Sequence, residues 1–206
     1  MSIRPGINRD FLAPDLDVAQ MQARFTADTR DVYLHRHAIV AALGARAGET
    51  VVDLGAGTGV FSELLARAVG PAGTVYALDP APAFVAQLQQ LAAAQQLPNL
   101  AARQCSMQAT GLAAGTADRA LLCDTYHHLE YPHEMLLDLR EVLRPGGELL
   151  VVDFERIPGV SRDFILEHVR ADKATVVAEL RAAGFELHEE CALGLFENYA
   201  LRCSRS

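Results

Sequence analysis

Val51-Val52-Asp53-Leu54-Gly55-Ala56-Gly57-Thr58-Gly59 is the stretch on which the reading of this chain turns. With Thr50 before it, its opening is short, β-branched and apolar around a single acid, the pattern of a buried strand. Three glycines at alternate positions follow, and a helix-like stretch over residues 62–69 comes after them. Glycine lets the backbone turn tightly and approach a ligand closely beside a helix N-terminus. Strand, turn and helix in this order therefore read as a nucleotide-binding turn. The spacing separates two kinds of ligand. A dinucleotide fingerprint, G-x-G-x-x-G, would place its third glycine at position 60, where Val60 stands. The chain instead carries G-x-G-x-G, with an acid two residues ahead of the first glycine.

The same rhythm continues outward from this turn. Residues 74–78 read as a strand, 80–96 as a long helix ended by Pro98, 100–105 and 119–123 as strands, and 132–143 as a helix. A Pro145-Gly146-Gly147 turn then leads into a strand over 148–152. Strands alternating with helices imply parallel pairing with right-handed crossovers. After a helix over 172–183, strand candidates at 185–191 and 196–203 are separated by only a few residues around Gly194. A parallel crossover needs a dozen or more residues, so these two must pair as an antiparallel hairpin. The fold class is α/β: a Rossmann-like open sheet of about seven mostly parallel strands with an antiparallel C-terminal hairpin. Two helices precede it, one capped by Asp15 with Leu16, Ala19, Met21 and Phe25 on one face, the other running from Asp31 and burying Ile39, Val40 and Leu43.

Composition narrows the function. A chain of 206 residues bounds the protein to one substantial domain, and half of it is hydrophobic, which excludes intrinsic disorder. The formal charge of −8 offers no basic face for gripping many phosphates, so nucleic acid is not expected as a partner. No apolar run approaches the roughly 18 residues of a membrane span, and residues 1–10 lack the apolar stretch of a secretory signal. Four widely spaced cysteines without a C-x-x-C pair read as reduced thiols of a cytoplasmic protein. Membrane association is not expected.

Asp79 ends the second strand about twenty residues beyond the turn, where a carboxylate can accept both hydroxyls of a ribose. Read plainly, the glycines only make a tight turn and Asp79 only caps a helix; the coordination of turn, leading acid and trailing acid favours a nucleoside ligand. From about residue 38 to 203 the chain resembles the class I S-adenosylmethionine-dependent methyltransferases, in the broad type 11 group that includes the ubiquinone-biosynthesis methyltransferases. VVDLGAGTGVFS (51–62) matches the first motif of that superfamily and VYALDP (75–80) its second. RALLCDTYHHL (119–129) occupies the fourth-strand motif, LRPGGELLVVDF (143–154) matches the late turn and strand, and AELRAAGFELHEE (178–190) resembles the terminal helix and strand.

The resemblance implies S-adenosyl-L-methionine as cofactor and a small-molecule acceptor. By it, Asp53, Gly55, Ala56, Gly57 and Gly59 face the methionine and ribose portions of the cofactor, Asp79 binds the ribose and Pro80 flanks the adenine. Relatives usually carry an acid after strand three to receive the adenine amino group. Here Cys105-Ser106-Met107 stand there, leaving Ser106 to hydrogen-bond and Met107 to lie on the ring. Asp124 ends strand four, and the stretch it opens borders the transferable methyl. Methyl transfer from a sulfonium is an in-line displacement, so holding the acceptor collinear and close does most of the work. An acceptor that loses a proton also needs a base near neutral pKa. One of His127 and His128 is the candidate, with Tyr126 as an apolar wall whose hydroxyl orients the acceptor. Packing or capping of the following helix is the plainer reading of this stretch. No metal site is expected from His127, His128 and His133, because adjacent histidines rarely converge on one ion.

Two flanking regions are expected to close the site. Residues 1–45 would form a helical appendage over a cofactor-binding domain of 46–206, with Arg30 meeting the cofactor carboxylate and Tyr33 lining the pocket. The connection after strand five would bring Phe164, His168 and Arg170 to the acceptor. A solvated helix face and a surface salt bridge are the plainer readings of Arg30 and Arg170. Two other function classes compete. An NAD-dependent oxidoreductase is disfavoured by Val60 and by the lack of a Tyr-x-x-x-Lys pair, and a non-catalytic cofactor-binding partner subunit is disfavoured by the intact Asp53, glycine turn and Asp79. The N/D-P-P-Y pattern for planar amides and a Pro-Cys nucleophile are both missing at strand four. The acceptor atom is not readable from the sequence, and the terminal hairpin and leading helices each offer a face for a homodimer.

Overall fold

In the computed structural model, which describes residues 1–205, the helices α1 (Val18–Phe25), α2 (Asp31–Leu34) and α3 (Arg36–Leu43) lead into the sheet. Strands β1 (Thr50–Leu54), β2 (Thr74–Asp79), β3 (Leu100–Gln104), β4 (Ala117–Cys123) and β5 (Leu143–Phe154) all run parallel. Helices α4 (Val60–Val69), α5 (Pro82–Ala94) and α6 (Pro132–Val142) connect them, except between β3 and β4, which a loop joins. After α7 (Asp163–His168) and α8 (Lys173–Ala182), β6 (Phe185–Glu190) and β7 (Asn198–Arg205) complete seven strands in the order β3-β2-β1-β4-β5-β7-β6.

The central strands are buried on both faces, which is why they read as continuous apolar runs rather than alternating ones. Successive residues nonetheless point to opposite sides. Leu149 and Val151 enter one core with Met135, Leu136 and Leu139 of α6 and Leu180 of α8. Leu150 and Val152 enter the other with Leu65 and Val69 of α4 and Leu88 of α5. Ile39 and Leu43 of α3 join that second core, so the third helix of the expected 1–45 appendage packs into the sheet's own interior.

The strand order reverses between β1 and β4, because the crossover from β1 goes one way to β2 and the chain later returns to the other side. At such a point no connection covers the carboxyl ends of the two strands, and a crevice opens there. The antiparallel end is as expected, with a refinement. β7 alone is reversed, pairing antiparallel to both β5 and β6, so the edge strand β6 resumes the direction of the parallel set.

Among the local boundaries that differ from the sequence reading are those of the leading helices and the last strand, and β5 begins at Leu143, taking in the expected Pro145-Gly146-Gly147 turn. The first helix is capped by Asp17 rather than Asp15: its carboxylate accepts the Gln20 N–H at 2.9 Å, and the helix begins at Val18. The helix expected from Asp31 is interrupted at His35, giving α2 and α3. The last strand begins at Asn198, since residues 195–197 are drawn into a loop held by the Asp31 carboxylate, which accepts the N–H groups of Phe196 and Glu197.

Gly59 starts α4 with φ +92°, and a Cβ there would lie 2.5 Å from Leu91 Cδ2 and 3.0 Å from Leu88 Cδ2. The third glycine of the turn thus serves helix packing, letting α4 approach α5. Gly59→Ala combines a left-handed backbone with overpacking and should cost about 2 kcal/mol. The check is urea unfolding, read as a lower midpoint at unchanged slope.

Candidate active site

The crevice at the switch point is a cavity of about 1090 Å3. Its floor is the glycine turn. The N–H groups of Gly55 and Ala56 donate to the Leu78 carbonyl at 2.8 and 3.0 Å, which pins the turn to the end of β2. Asp79 completes the join: its two oxygens accept the Gly57 N–H and the Ala81 N–H, each at 2.9 Å. Asp53 accepts the Ser62 hydroxyl at 2.5 Å. Both acids are buried and both line the cavity. Burial pushes Asp53 up to about 7, assisted by the neighbouring Asp79 charge and opposed by the Ser62 bond. Burial likewise pushes Asp79 up to about 6, against its two backbone bonds. Gly55, Ala56, Gly57 and Pro80 line the same cavity, whereas Gly59 faces the helix packing.

Cys105, Ser106 and Met107 close the end of the cavity beyond Asp79. The Ser106 hydroxyl accepts the N–H groups of Gln108 and Ala109 at 3.1 and 2.9 Å, so it organises its own loop. Phe84 of α5 stands beside it on the cavity wall.

The opposite end is built from the residues after β4. Asp124 adopts φ +50°, a left-handed conformation that reverses the chain out of the strand. Its carboxylate pairs with the Arg30 guanidinium and accepts the Asn198 side-chain amide at 2.6 Å. Burial raises its pKa and Arg30 works against that. Tyr126–His128 then form a single 3-10 turn, in which successive side chains diverge by about 120°. Tyr126 consequently turns down into the core, where its hydroxyl donates to Glu179 Oε2 at 2.7 Å. Arg170 grips the same carboxylate at 2.9 and 2.6 Å. Neither Tyr126 nor Arg170 lines the cavity, contrary to the placement expected for both, because Glu179 of α8 offers them a partly buried partner.

His127 and His128 do face the cavity, and His168 of α7 meets them there. Asp153, at the end of β5, sits beneath His127: its Oδ2 accepts the His127 N–H at 2.9 Å and its Oδ1 lies 2.7 Å from Nδ1. The sequence reading passed over Asp153, although an acid near the end of an otherwise apolar buried strand is the signal that marks it. His128 Nε2 stands 3.3 Å from His168 Nε2. Burial pushes His128 down to about 2 and His168 to about 4, so both rings are neutral near pH 7. His133 is exposed on α6 and takes no part.

The leading segment roofs this floor. Phe11, Phe25 and Phe84 meet with ring centroids 6.1 to 6.5 Å apart. A Cβ on Gly57 would lie 3.3 Å from the Phe25 ring, so this aromatic rests on the glycine turn. Arg30 lies over Phe25 at 5.2 Å, and Tyr33 lines the cavity beside it. Phe164 packs on Phe154 at 6.3 Å and stacks on His168 at 5.0 Å. Two polar atoms on the wall, Thr58 Oγ1 and Asn198 Oδ1, are buried without a hydrogen-bond partner. Orphaned polar atoms in a cleft beside two acids fit a polar ligand better than a closed core.

A nucleoside-binding α/β domain is the class this arrangement defines. Comparison with known proteins narrows it. Residues 51–147 match a family model described as a methyltransferase domain. The chain is 32% identical over 138 residues to an uncharacterized 37.1 kDa protein in transposon TN4556 of Streptomyces fradiae, covering 67% of this chain and 39% of that one. It is 30% identical over 118 residues to the ubiquinone/menaquinone biosynthesis C-methyltransferase UbiE of Hahella chejuensis, covering 55% of this chain and 46% of that one. It thus spans less than half the length of either relative. The crystal structure of a SAM dependent methyltransferase from Aquifex aeolicus superposes with a TM-score of 0.81 at 21% identity, covering 92% of this chain and 99% of the other. These matches support placing the chain with the class I S-adenosylmethionine-dependent methyltransferase superfamily, with the methyltransferase domain itself matched over residues 51–147. Among the described residues no helix is long and apolar enough to cross a membrane.

A carboxyl whose pKa is raised by folding binds its proton more tightly folded than unfolded. Stability therefore falls as pH rises through the window from about 4 to about 7 in which Asp53 ionises. Asp53→Asn removes that cost while keeping an oxygen for Ser62. It should raise the melting temperature of the ligand-free chain at pH 8, and raise it less at pH 5. A scanning-calorimetry pair at the two pH values decides it.

Proposed function

We propose that this chain transfers a methyl group from S-adenosylmethionine to a small-molecule acceptor held at the histidine end of the cavity. The observation that carries this reading is the continuity of one cavity from the Asp53–Asp79 floor to the aromatic and histidine wall. Its volume is at the upper end for a single ligand site, enough for a cofactor and a small partner together. The cofactor supplies an electrophilic methyl on a sulfonium and departs as a neutral thioether.

The chain's own residues bind, orient and exclude. Asp79, fixed by two backbone N–H groups, presents its remaining lone pairs to ribose hydroxyls, and Asp53 and the turn backbone face the adjoining portion. Thr58 and Asn198 each offer an unpartnered oxygen to ligand donors. Pro80, Met107 and Phe84 make an apolar slot for the adenine, so ring contact takes over from the acid that relatives carry where Ser106 stands. Arg30, held by Asp124 between floor and roof, is the cation for the cofactor's carboxylate. Residues 7–33 cover the site and keep water from it. The acceptor lies against Tyr33, Phe11, Phe154 and Phe164, which suit an apolar or planar body. The similarity to a ubiquinone/menaquinone C-methyltransferase supports an acceptor of that kind.

Calorimetric titration with S-adenosylmethionine should give micromolar binding. Asp79→Ala should weaken it by about 10- to 100-fold, as expected for a hydrogen bond to a charged group. Far-UV circular dichroism should show the fold intact. NADH, titrated separately, should give no heat, and tight NADH binding without S-adenosylmethionine binding would overturn the proposal. Acceptors are then screened by mass for addition of one methyl group.

A further inference from the structure

Three imidazoles from two separate elements converge at one end of the cavity. One ring nitrogen from each of His127, His128 and His168 lies within 4.8 Å of those of the other two. An ion held tetrahedrally by nitrogens at about 2.1 Å sets its ligands about 3.4 Å apart. His128 Nε2 and His168 Nε2, at 3.3 Å, already stand at that spacing. A histidine kept for packing satisfies its ring nitrogens by hydrogen bonds within the protein. His128 does not: its Nδ1 is buried without a partner, and its Nε2 meets only another imidazole.

His127 shows the complementary feature. Asp153 is an acceptor, so the proton between them belongs to His127 Nδ1, at 2.7 Å from Oδ1. That bond fixes the tautomer and leaves Nε2 with its lone pair, the carboxylate–histidine arrangement that orients a metal ligand from behind. Asp153 is itself anchored by the N–H groups of His127 and Phe154. Phe154 and Phe164 pack around the cluster and screen it from water.

We propose that His127, His128 and His168 bind one divalent transition-series cation, zinc being the best match, with Asp153 orienting His127. Three neutral imidazoles suit zinc and its neighbours over magnesium or calcium, which require oxygen ligands. All three rings line the cavity, so the fourth position opens onto the space assigned to the acceptor. Three protein ligands with an open fourth position are the pattern of a working site rather than a structural one. Resting on the methyl-transfer reading, this names the acceptor class: molecules presenting an ionisable hydroxyl or thiol that can occupy the open position. The sequence concealed the cluster because His168 lies forty residues from its partners, on a helix that no periodicity announces.

The experiment uses the full chain without a histidine tag, stripped with a chelator and titrated with zinc and, separately, with cobalt(II). The expected result is one equivalent per chain, with visible ligand-field bands of a four-coordinate cobalt(II) that zinc displaces. His168→Ala, a half-buried change on a short surface helix, should weaken zinc binding at least tenfold and abolish those bands, while its melting temperature stays near that of the parent. His133→Ala, on the exposed face of α6, should change neither readout. Substoichiometric binding, or equal affinity in the parent and His168→Ala, overturns the proposal. The readouts need no cofactor, and S-adenosylmethionine binding measured on the same His168→Ala sample should be unchanged, so failure of the metal site and failure of the methyltransferase reading are told apart.

Discussion

Asp79 is the residue through which the site is assembled. It is the last residue of β2, yet its carboxylate holds the glycine turn after β1 by Gly57 and the start of α5 by Ala81. With the Leu78 carbonyl holding the Gly55 and Ala56 N–H groups, it sets the two loops at a fixed distance across the crevice. The cost is two buried acids side by side, with the Asp79 charge raising the pKa of Asp53 beyond what burial alone does. A core built for stability alone would not place two carboxylates together in low dielectric. Their environment makes sense when ligand hydroxyls and a cationic centre complete it, which is the usual meaning of perturbed groups gathered in a cleft.

The sheet was legible because its signals are redundant. β-branched runs, glycine and proline punctuation and the alternation with helices each indicate the same parallel core, and the short link around Gly194 forces the antiparallel end. What failed was local competition between equal candidates. Asp15 and Asp17 are both plausible caps, and it is the Asp17 carboxylate that accepts the Gln20 N–H. The break at His35 has no proline or glycine to announce it; the backbone is redirected so that Ile39 and Leu43 reach the second core while Tyr33 reaches the cavity.

The site divided in the same way. Residues fixed to strand ends, such as Asp53, Asp79 and Asp124, were readable because strand position determines where their side chains stand. Residues in the 3-10 turn were not, since a rotation of one residue exchanges core for cavity. Tyr126 was drawn inward by Glu179, a partner fifty-three residues away that no local pattern reveals. Arg170 followed the same carboxylate. Asp153 went unnoticed inside a motif read for its turn and strand, though it is the group that makes His127 more than a packed ring.

The roof has a different physical character from the floor. α1 contains no buried residue and meets the floor through the ring of Phe25, while on either side of it Asn8 donates to the His128 carbonyl at 2.9 Å and Arg30 pairs with Asp124. Segments with little buried apolar surface open locally at far less than the cost of global unfolding. The sheet beneath is held by both cores and does not share that freedom. Phe25 lies directly over Gly57, so the roof rests on the glycine turn it covers. Asp31 ties the end of the roof to the loop before β7, beside Asn198, whose amide reaches the same Asp124 as Arg30. Asp124 thus joins the roof, through Arg30, to the start of β7, through Asn198, so that one carboxylate sets how the cover and the last strand meet at the histidine end of the cavity.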